Sequence, residues 1–516
     1  MRSNTVARNT LWAITAVVWL AVGRLAIAFV GSELQWRYVA EQSRSDAPWY
    51  YRLAGVWGGS EGSLLLFAAI VGLVACVALR DVRRAAVGWF ATLTVAALAL
   101  INVVFASPFG RLDAPAVRGF GLTPILEHPA MAVHPPLLYA GFGCAFAAAL
   151  VALDCRDAMA WLRRTLAIVT LAMALGGLWS YVEQGWGGYW AWDPVENTSL
   201  LVWLAALIAI HVPGRPRLVL LAWVAVLAGA PLVRSGAVPS VHSFAEQASV
   251  GWALLCVSIA AVIAIGCLAR SIAFAHFRAD SARKCANAGE MGRAAGGDRV
   301  PALIGAAVFV LVALGTFAPV LVDIIRSRPA AVRGEFFSRT VGPVALVAVP
   351  LLAWRLRLRH SRLVHAGALV LLIGIGASTF DREETITLAE GDSTEAAGLH
   401  VTNNGVAVEP GPRADVEQVV AMMRVNGYAM RPALVAYPER GGVLAETAMV
   451  SRPWRDVQVT LLDANDLGNV RVIVRQRPLM WLVWLGAVLT ALGALTPKWS
   501  LPLRRRDEPA SPPTTR

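Results

Sequence analysis

Long apolar runs dominate this chain and limit the folds that it can adopt more than any other feature. About twelve runs have the length of a bilayer-spanning helix or come close to it. They lie near residues 10–31, 62–79, 86–106, 136–154, 163–180, 197–212, 217–233, 249–269, 301–322, 341–354, 363–379 and 479–497. Hydrophobic residues make up 57% of the 516 residues. The pattern predicts an all-α polytopic membrane protein, in which the run at 341–354 is the shortest span.

Basic residues are concentrated in every second connection between these runs. With about twelve spans, one side of the membrane receives all of these clusters and both termini. The positive-inside rule makes that side the cytoplasm. The clusters contain Arg80, Arg83, Arg84, Arg156, Arg163, Arg164, Arg215, Arg217, Arg355, Arg357, Arg359, Arg362, Lys498, Arg504, Arg505 and Arg506. They account for much of the formal charge of +12. The basic charge therefore does not require a nucleic-acid partner to explain it.

The polar segments divide the chain into five predicted regions. Residues 1–269 form an N-terminal transmembrane region, and a basic cytoplasmic loop follows at 270–300. Further transmembrane helices at 301–379 precede an extracytoplasmic region at 380–478. A last helix and a basic cytoplasmic tail occupy 479–516.

The extracytoplasmic region is predicted to be a small β-rich domain. Apolar and polar residues alternate, as in half-buried strands, at 384–388, 400–408, 457–462 and 469–474. One helix is predicted within this domain, at 414–425.

A tryptophan-rich stretch at 185–197 lies on the predicted outer side. It reads Gly-Trp-Gly-Gly-Tyr-Trp-Ala-Trp-Asp-Pro-Val-Glu-Asn and includes Trp186, Trp190 and Trp192. Its glycines let the backbone approach a flat ligand closely. Asp193 has the position of a helix N-cap, with Pro at the first helical position and Glu at the third. The tryptophans fit either an aromatic belt at the membrane surface or a platform for a planar hydrophobic molecule.

Two histidines share one predicted depth near the cytoplasmic side. His211 lies eighteen residues after Asp193 on one helix, which is roughly 27 Å at 1.5 Å per residue. His365 lies at the start of the span 363–379. Two histidines in apolar surroundings could ligate one heme iron from both sides. Alternatively, each ring bonds a carbonyl or caps a helix end.

A second pair of histidines is predicted at the outer side, level with the tryptophans. His134 precedes the span 136–154, and His242 follows the span 217–233. Two imidazoles beside an aromatic surface make a bis-histidine heme site plausible, and ordinary interfacial histidines are the alternative. The other four are predicted to be solvated or interfacial: His128, His276, His360 and His400.

The stretch at 185–197 closely resembles the WWD motif of heme-handling membrane proteins in cytochrome c biogenesis. The segment 54–66 reads Ala-Gly-Val-Trp-Gly-Gly-Ser-Glu-Gly-Ser-Leu-Leu-Leu. Together with the histidine segments at 132–139 and 232–245, it makes most of the chain resemble the cytochrome c maturation protein F (CcmF) family. Two residues depart from the family pattern: Ser60 stands where members carry histidine, and Tyr189 replaces a tryptophan.

The resemblance implies a heme lyase of the bacterial inner membrane that joins heme to the Cys-x-x-Cys-His motif of apocytochrome c. It implies that His134 and His242 hold a transient substrate heme, and that the WWD loop, with Trp186, Trp190, Trp192 and Asp193, holds it at the outer face. It also implies a stable heme b between His211 and His365. In the lyase hypothesis, this heme could draw on quinol to keep the substrate iron ferrous. The implied partners are a CcmE-like heme chaperone, a CcmH-like apocytochrome-presenting subunit and apocytochrome c.

Two other classes of function compete with the lyase hypothesis. A membrane b-type redox protein would need only His211 and His365. A heme transporter would be expected to show inverted repeats with broken helices, and the sequence shows no internal repeat. The sequence identifies no general acid or base. Arg118 and Arg234 are candidate partners for heme propionates, with ordinary surface charge as the alternative.

Overall fold

A computed structural model of the chain describes residues 2–183, 188–240, 242, 246–277, 299–326, 332–355, 362–413, 416–437 and 442–496. Twelve long apolar helices lie within these ranges. They are α1 (Arg2–Val30), α2 (Ser60–Ala78), α3 (Ala85–Phe105), α4 (Pro129–Leu153), α5 (Met159–Glu183), α6 (Pro194–His211), α7 (Pro216–Ser235), α8 (Ala248–Phe277), α9 (Arg299–Arg326), α10 (Gly334–Arg355), α11 (Arg362–Ala377) and α12 (Trp481–Leu495). The first eleven are long and apolar enough to cross a membrane, and α12 is shorter. The chain is therefore a multi-pass membrane protein, as predicted.

The run at 341–354, which the sequence makes the shortest span, belongs to a longer helix. The structure has α10 from Gly334 to Arg355, so this helix has 22 residues. Its first turns contain polar residues and its interior contains Pro343 and Pro350, which shorten the apolar run without ending the helix.

Helix α4 begins earlier than predicted, which corrects the placement of His134. The apolar run in the sequence placed the start of this span near residue 136. The helix instead begins at Pro129, after the N-cap His128, whose Nδ1 accepts the N–H of Ala130 at 3.1 Å. His134 thus lies in the second turn of α4.

A hydrogen bond from Trp57 compensates for the first of the two prolines inside α4, Pro135 and Pro136. Pro135 has no N–H, so the carbonyl of Met131, four residues earlier, loses its partner within the helix. The indole Nε1 of Trp57 donates to this carbonyl at 3.0 Å. The backbone around His134 is therefore held without a break in the helix.

The last two helices pack with their backbones in close contact through glycine. A Cβ at Gly367 would lie 2.3 Å from the Thr490 nitrogen, and one at Gly493 would lie 2.2 Å from the Val364 nitrogen. Small residues allow such approach between membrane helices. This packing fixes α11, which carries His365, against α12.

Hydrogen bonds join the arginine-rich connections to each other and to the chain ends at one end of the helix bundle. Asn4 Nδ2 donates to the Val82 carbonyl at 3.0 Å, and Arg163 Nε donates to the Ala494 carbonyl at 2.9 Å. The carboxylate of Asp154 accepts the backbone N–H groups of Arg83 and Arg84. The start of α1 and the end of α12 therefore lie at the same end of the bundle as these basic loops.

The C-terminal region is β-rich, as predicted, and contains ten strands within the described residues. They are β1 (Arg382–Leu388), β2 (Ser393–Ala396), β3 (Leu399–Pro410), β4 (Glu417–Val425), β5 (Tyr428–Met430), β6 (Ala433–Tyr437), β7 (Gly442–Glu446), β8 (Ala448–Ser451), β9 (Arg455–Ala464) and β10 (Val470–Pro478). One antiparallel sheet has the order β1-β10-β9-β8, and the other β2-β3-β4-β6-β7, with β5 paired to β4. Val401, Val425, Val459 and Val472 form part of their common core.

The helix predicted at 414–425 is wrong. Residues 417–425 form strand β4, which pairs with β3 on one edge and with β6 on the other. Val419, Val420 and Val425 are β-branched and favour the pleated conformation. Pairing on both edges satisfies the backbone of this segment more completely than an isolated helix would.

The β-rich domain is attached to the bundle beside the tryptophan-rich stretch. Tyr181, near the end of α5, donates its hydroxyl to Asp456 at 2.8 Å. The carbonyl of Tyr181 accepts from Gln458 Nε2 at 3.1 Å. Arg413 pairs with Glu127 at 2.9 Å. The domain therefore lies at the end of the bundle opposite to the arginine-rich loops.

Candidate functional site

The start of α6 is built as the sequence predicts. The side chain of Asp193 accepts the Val195 N–H at 2.8 Å. Glu196 Oε2 accepts the N–H of Asp193 at 3.1 Å and that of Ala191 at 2.9 Å. This capping box satisfies backbone donors that the helix leaves open. It also fixes the last residues of the tryptophan-rich stretch against the helix.

A cavity of about 40 Å³ lies between α4, α5, α6 and residue 242. The two outer histidines and Trp190 contribute to its wall. The full lining is His134, Leu138, Met173, Gly176, Gly177, Trp179, Ser180, Trp190, Val195, Glu196, Ser199 and His242. The structure thus brings together the two outer histidines that the sequence predicted as a pair.

His134 is held in one tautomer. Its Nδ1 lies 2.8 Å from the Ala172 carbonyl oxygen, which can only accept, so Nδ1 carries the proton and Nε2 carries the lone pair. Gly176 provides the space for the ring, because a Cβ there would lie 2.6 Å from His134 Cε1. The ring centre lies 6.5 Å from that of Trp179.

His242 is held from the other side of the cavity by the start of α6. Its Nδ1 lies 3.1 Å from Asp193 Oδ1. Its backbone N–H donates to Ser240 Oγ at 2.9 Å, and that hydroxyl donates to Asp193 Oδ1 at 3.0 Å. With the carboxylate ionised, Nδ1 is the donor and Nε2 has the lone pair. Both outer imidazoles therefore have the tautomer that a metal bound at Nε2 requires.

Trp190 carries a buried polar atom that points to a missing partner. Its indole Nε1 is buried and has no acceptor within the described part of the chain. A buried N–H without an acceptor is costly. This donor, on the cavity wall between two imidazoles, fits a ligand that combines a flat apolar body with acceptor groups.

Trp192 has a different environment from Trp190. Its ring stacks on Phe337 of α10, with centres 5.2 Å apart and planes at 11°, and its Nε1 donates to Ser338 Oγ at 3.0 Å. Its φ of 58° is a left-handed conformation that costs energy for a residue with a side chain. The structure does not bring Trp192 to the cavity wall, and Trp186 lies outside the described residues.

The second pair of histidines lies at the opposite end of α6. The ring centres of His211 and His365 are 6.4 Å apart, with planes at 73°. Nδ1 of His211 lies 2.9 Å from the Leu207 carbonyl oxygen, which again places the lone pair on Nε2. A metal–imidazole bond is about 2 Å long, so two imidazoles on one metal have ring centres about 6 Å apart. The separation of the rings and the tautomer of His211 both fit a bis-histidine iron site.

The two arginines considered as propionate partners already have protein partners. Arg118 pairs with Asp46 at 2.9 Å. Arg234 is buried, and its guanidinium donates to the Ser60 hydroxyl and carbonyl at 3.1 Å and to Ser63 Oγ at 3.0 Å. Ser60, which departs from the family pattern, thus contacts a buried arginine.

Sequence reasoning missed the contribution of α5 to the cavity. Met173, Gly176, Gly177 and Ser180 line it. Their spacing of three, four and seven residues from Met173 places them on one face of the helix. The glycines at 176 and 177 lie on a face that leads to the tryptophan-rich stretch. They were the sequence signal that could have indicated this part of the cavity.

Comparisons with known proteins agree with this architecture. A sequence model of the Cytochrome C assembly protein family matches residues 57–234. The chain is 32% identical to the probable cytochrome c-type biogenesis protein NrfE of Escherichia coli, over 74% of each protein. It is 28% identical to the cytochrome c-type biogenesis protein CycK of Bradyrhizobium diazoefficiens, over 95% of the chain and 91% of CycK.

A solved structure shows the same fold. It is that of the cytochrome c heme lyase CcmF, with a TM-score of 0.66 and 22% identity, and the match covers 95% of this chain and 91% of that one. The residues that line the cavity lie within the stretch that the family model matches, except for His242, which follows it. The chain belongs to the family of cytochrome c-type biogenesis proteins that includes CcmF, CycK and NrfE.

Proposed function

We propose that this protein is the heme lyase component of a cytochrome c maturation system in the bacterial inner membrane. It holds substrate heme at the outer membrane face, with His134 and His242 as iron ligands. It promotes covalent attachment of that heme to the Cys-x-x-Cys-His motif of apocytochrome c. The observation that carries the proposal is that both imidazoles line the same cavity, each with its Nδ1 bonded to the protein.

Attachment of heme depends more on the positions of the reacting groups than on acid–base catalysis. In each thioether bond, the S–H of a cysteine adds across a vinyl C=C of heme: sulfur bonds to one carbon and hydrogen to the other. No group leaves and no oxidant is consumed. Fixing the heme on two axial ligands and against Trp190 presents both vinyl groups to the two thiols, which is catalysis by proximity. No residue of this chain is assigned as a general acid or base.

A stable heme b is proposed between His211 and His365. Their ring separation of 6.4 Å and the tautomer of His211 support this assignment. When bound, such a heme would supply single-electron transfer, with quinol as the electron donor and the substrate iron as the acceptor. The residues of this chain hold it in place, and the close packing of α11 on α12 fixes the position of His365.

The orientation follows from the arginine-rich end of the bundle. We place that end and both termini in the cytoplasm. The β-rich domain and the cavity then face the opposite side, where the partners would bind. These are a CcmE-like heme chaperone, a CcmH-like subunit that presents reduced apocytochrome, and apocytochrome c itself. No nucleic acid is involved.

The inner site gives the first test. Purified protein should show the spectrum of low-spin, non-covalent heme b. His211→Ala or His365→Ala should remove or strongly weaken this spectrum, because one axial ligand of the iron is lost. His400→Ala is the control, since His400 lies exposed on the β-rich domain. Wild-type spectra from both inner variants would reject the inner site.

A second candidate function is a membrane b-type redox protein without lyase activity. The inner histidine pair favours it, because that pair needs nothing from the outer cavity. Exogenous imidazole separates the two. His134→Gly should lose cytochrome c maturation in a strain that lacks its own copy of this component, and imidazole should restore part of it by refilling the axial position. Full maturation by His134→Gly without imidazole would favour the redox function.

A further inference from the structure

We propose that Asp193 is a positioning residue for His242, in addition to its role as the N-cap of α6. The inference rests on the proposed function, because it concerns how one iron ligand of the outer site is oriented. The feature that carries it is a single carboxylate oxygen shared by the helix start and the imidazole.

Asp193 Oδ1 is a buried acceptor that takes bonds from three donors among the residues that the structure describes. It accepts the Val195 N–H at 2.8 Å, the Ser240 hydroxyl at 3.0 Å and the His242 Nδ1–H at 3.1 Å. The residue is only 6% exposed. A helix cap requires only the first of these bonds. The other two attach the segment that follows α7 to the start of α6.

The network determines both the direction and the tautomer of the ligand. Ser240 Oγ accepts the backbone N–H of His242 at 2.9 Å, so the backbone and the ring of this histidine are tied to one carboxylate. A proton held on Nδ1 leaves the lone pair on Nε2 of a ring that lines the cavity. A carboxylate behind a metal-bound imidazole also strengthens it as a donor.

The two ligands of the outer site are consequently unequal. His134 donates its Nδ1–H to a neutral carbonyl, that of Ala172, at 2.8 Å. His242 donates to a carboxylate. The second arrangement gives the imidazole more negative character, so His242 should be the stronger ligand for ferric iron. Removing the charge of Asp193 should therefore raise the reduction potential of heme bound at this site.

Three substitutions separate positioning from capping. Asp193→Ser keeps a good N-cap, but its shorter, neutral side chain cannot replace the carboxylate behind His242. Asp193→Asn keeps the size, the cap and an acceptor, but removes the charge. Asp193→Ala removes every bond. If Asp193 were only a cap, the serine and asparagine variants would behave as wild type.

Two measurements read the effect without relying on lyase activity. The first is the protonated nitrogen of His242 in full-length protein before heme is added, followed by ¹⁵N-histidine NMR and assigned by the signal lost in His242→Gln. The second is titration with hemin, followed by the low-spin spectrum that forms in addition to the inner heme b. His242→Ala provides the reference for loss of the outer site.

We expect wild type to carry the proton on Nδ1, and Asp193→Ser and Asp193→Ala to lose this preference. Both should bind hemin about 10- to 100-fold more weakly, which is the usual effect of removing such a partner. Asp193→Asn should keep the tautomer and shift the reduction potential upward. The inner heme b spectrum shows in each case that the chain is folded, so the serine variant decides the matter if the alanine variant does not fold.

The outcomes distinguish the two proposals. Wild-type hemin affinity and tautomer in Asp193→Ser, with loss of binding in His242→Ala, would overturn the positioning role alone. Wild-type hemin binding by His242→Ala would overturn the outer-site assignment of the proposed function, and the positioning role with it.

Discussion

At the scale of single residues, the outer site depends on which side chains are absent as much as on which are present. Gly176 lies where α5 passes the ring of His134, and a Cβ there would be 2.6 Å from Cε1. The ring cannot retreat without losing its bond to the Ala172 carbonyl. The absence of a side chain at this position is therefore part of the histidine site.

A methyl group at this position should disturb the outer site selectively. Gly176→Ala should displace the His134 ring and lower the yield of holocytochrome c several-fold, while the inner heme b is retained. Gly266→Ala is the matched control, because a Cβ at Gly266 in α8 meets nothing within 4 Å. Both quantities are measured in the same membranes. An unchanged yield from Gly176→Ala would show that the position of His134 is not critical.

The sequence predicted which histidines pair but not what holds them. Predicted depth in the membrane placed His134 with His242 and His211 with His365, and the structure brings each pair together. The acceptors behind the rings could not be predicted, because a carbonyl such as that of Ala172 carries no sequence signal. The environment of Trp192 could not be predicted either. Its stacking partner Phe337 is far away in the sequence, so nothing near Trp192 indicated contact with α10.

At the scale of elements, the junction between α11 and β1 contains a carboxyl group that responds to pH. Burial, the largest influence, raises the pKa of Asp381 to about 6, although Arg477 at 3.5 Å lowers it. Folding thus favours the protonated form over the unfolded value of 3.8. This group should stabilise the folded domain at pH below about 4, and its contribution should be lost as the pH rises through 6.

This pH dependence can be measured by limited proteolysis of the β-rich domain in the full-length protein. The domain should resist cleavage better at pH 5 than at pH 7. Asp381→Asn should remove most of this difference, because the amide stays neutral at both values. Asp463→Asn, on β9, serves as the control. An equal difference between the two pH values in Asp381→Asn would assign the effect to another group.

Helices and strands could be predicted where the hydrophobic pattern was long. They were harder to predict where contacts with neighbouring elements determine the structure. The apolar runs gave the helices, and alternation gave strands β1, β3, β9 and β10. The segment at 414–425 was misjudged because its apolar residues fit both periods, and only pairing with β3 and β6 makes it a strand. The early start of α4 depends on Trp57, which replaces the hydrogen bond lost at Pro135.

At the scale of the whole molecule, the proposed function requires the β-rich domain and the cavity to lie on the outer side of the membrane. A reporter that is active only in the cytoplasm should be silent when fused after Gly411, between β3 and β4. The same reporter placed at Asp157, in the arginine-rich connection between α4 and α5, should be active. Activity after Gly411 would reverse the orientation and place the cavity on the wrong side for apocytochrome c.

The two histidine pairs that we propose as heme sites lie at opposite ends of α6, so their functions should be lost independently. His242 is bonded to Asp193 at the start of this helix, and His211 is its last residue. A chain that lacks both outer ligands should still hold the inner heme. This separation makes the inner heme an internal measure of folding for every outer variant.

The most direct measurement is the yield of covalent heme on a reporter apocytochrome c made with the double variant His134→Ala/His242→Ala, with inner heme b quantified in the same membranes. If the outer pair holds the substrate heme, the double variant should give no holocytochrome and a normal amount of heme b, because only the outer iron ligands are removed. A normal yield of holocytochrome from this double variant would show that the outer pair has no part in the mechanism.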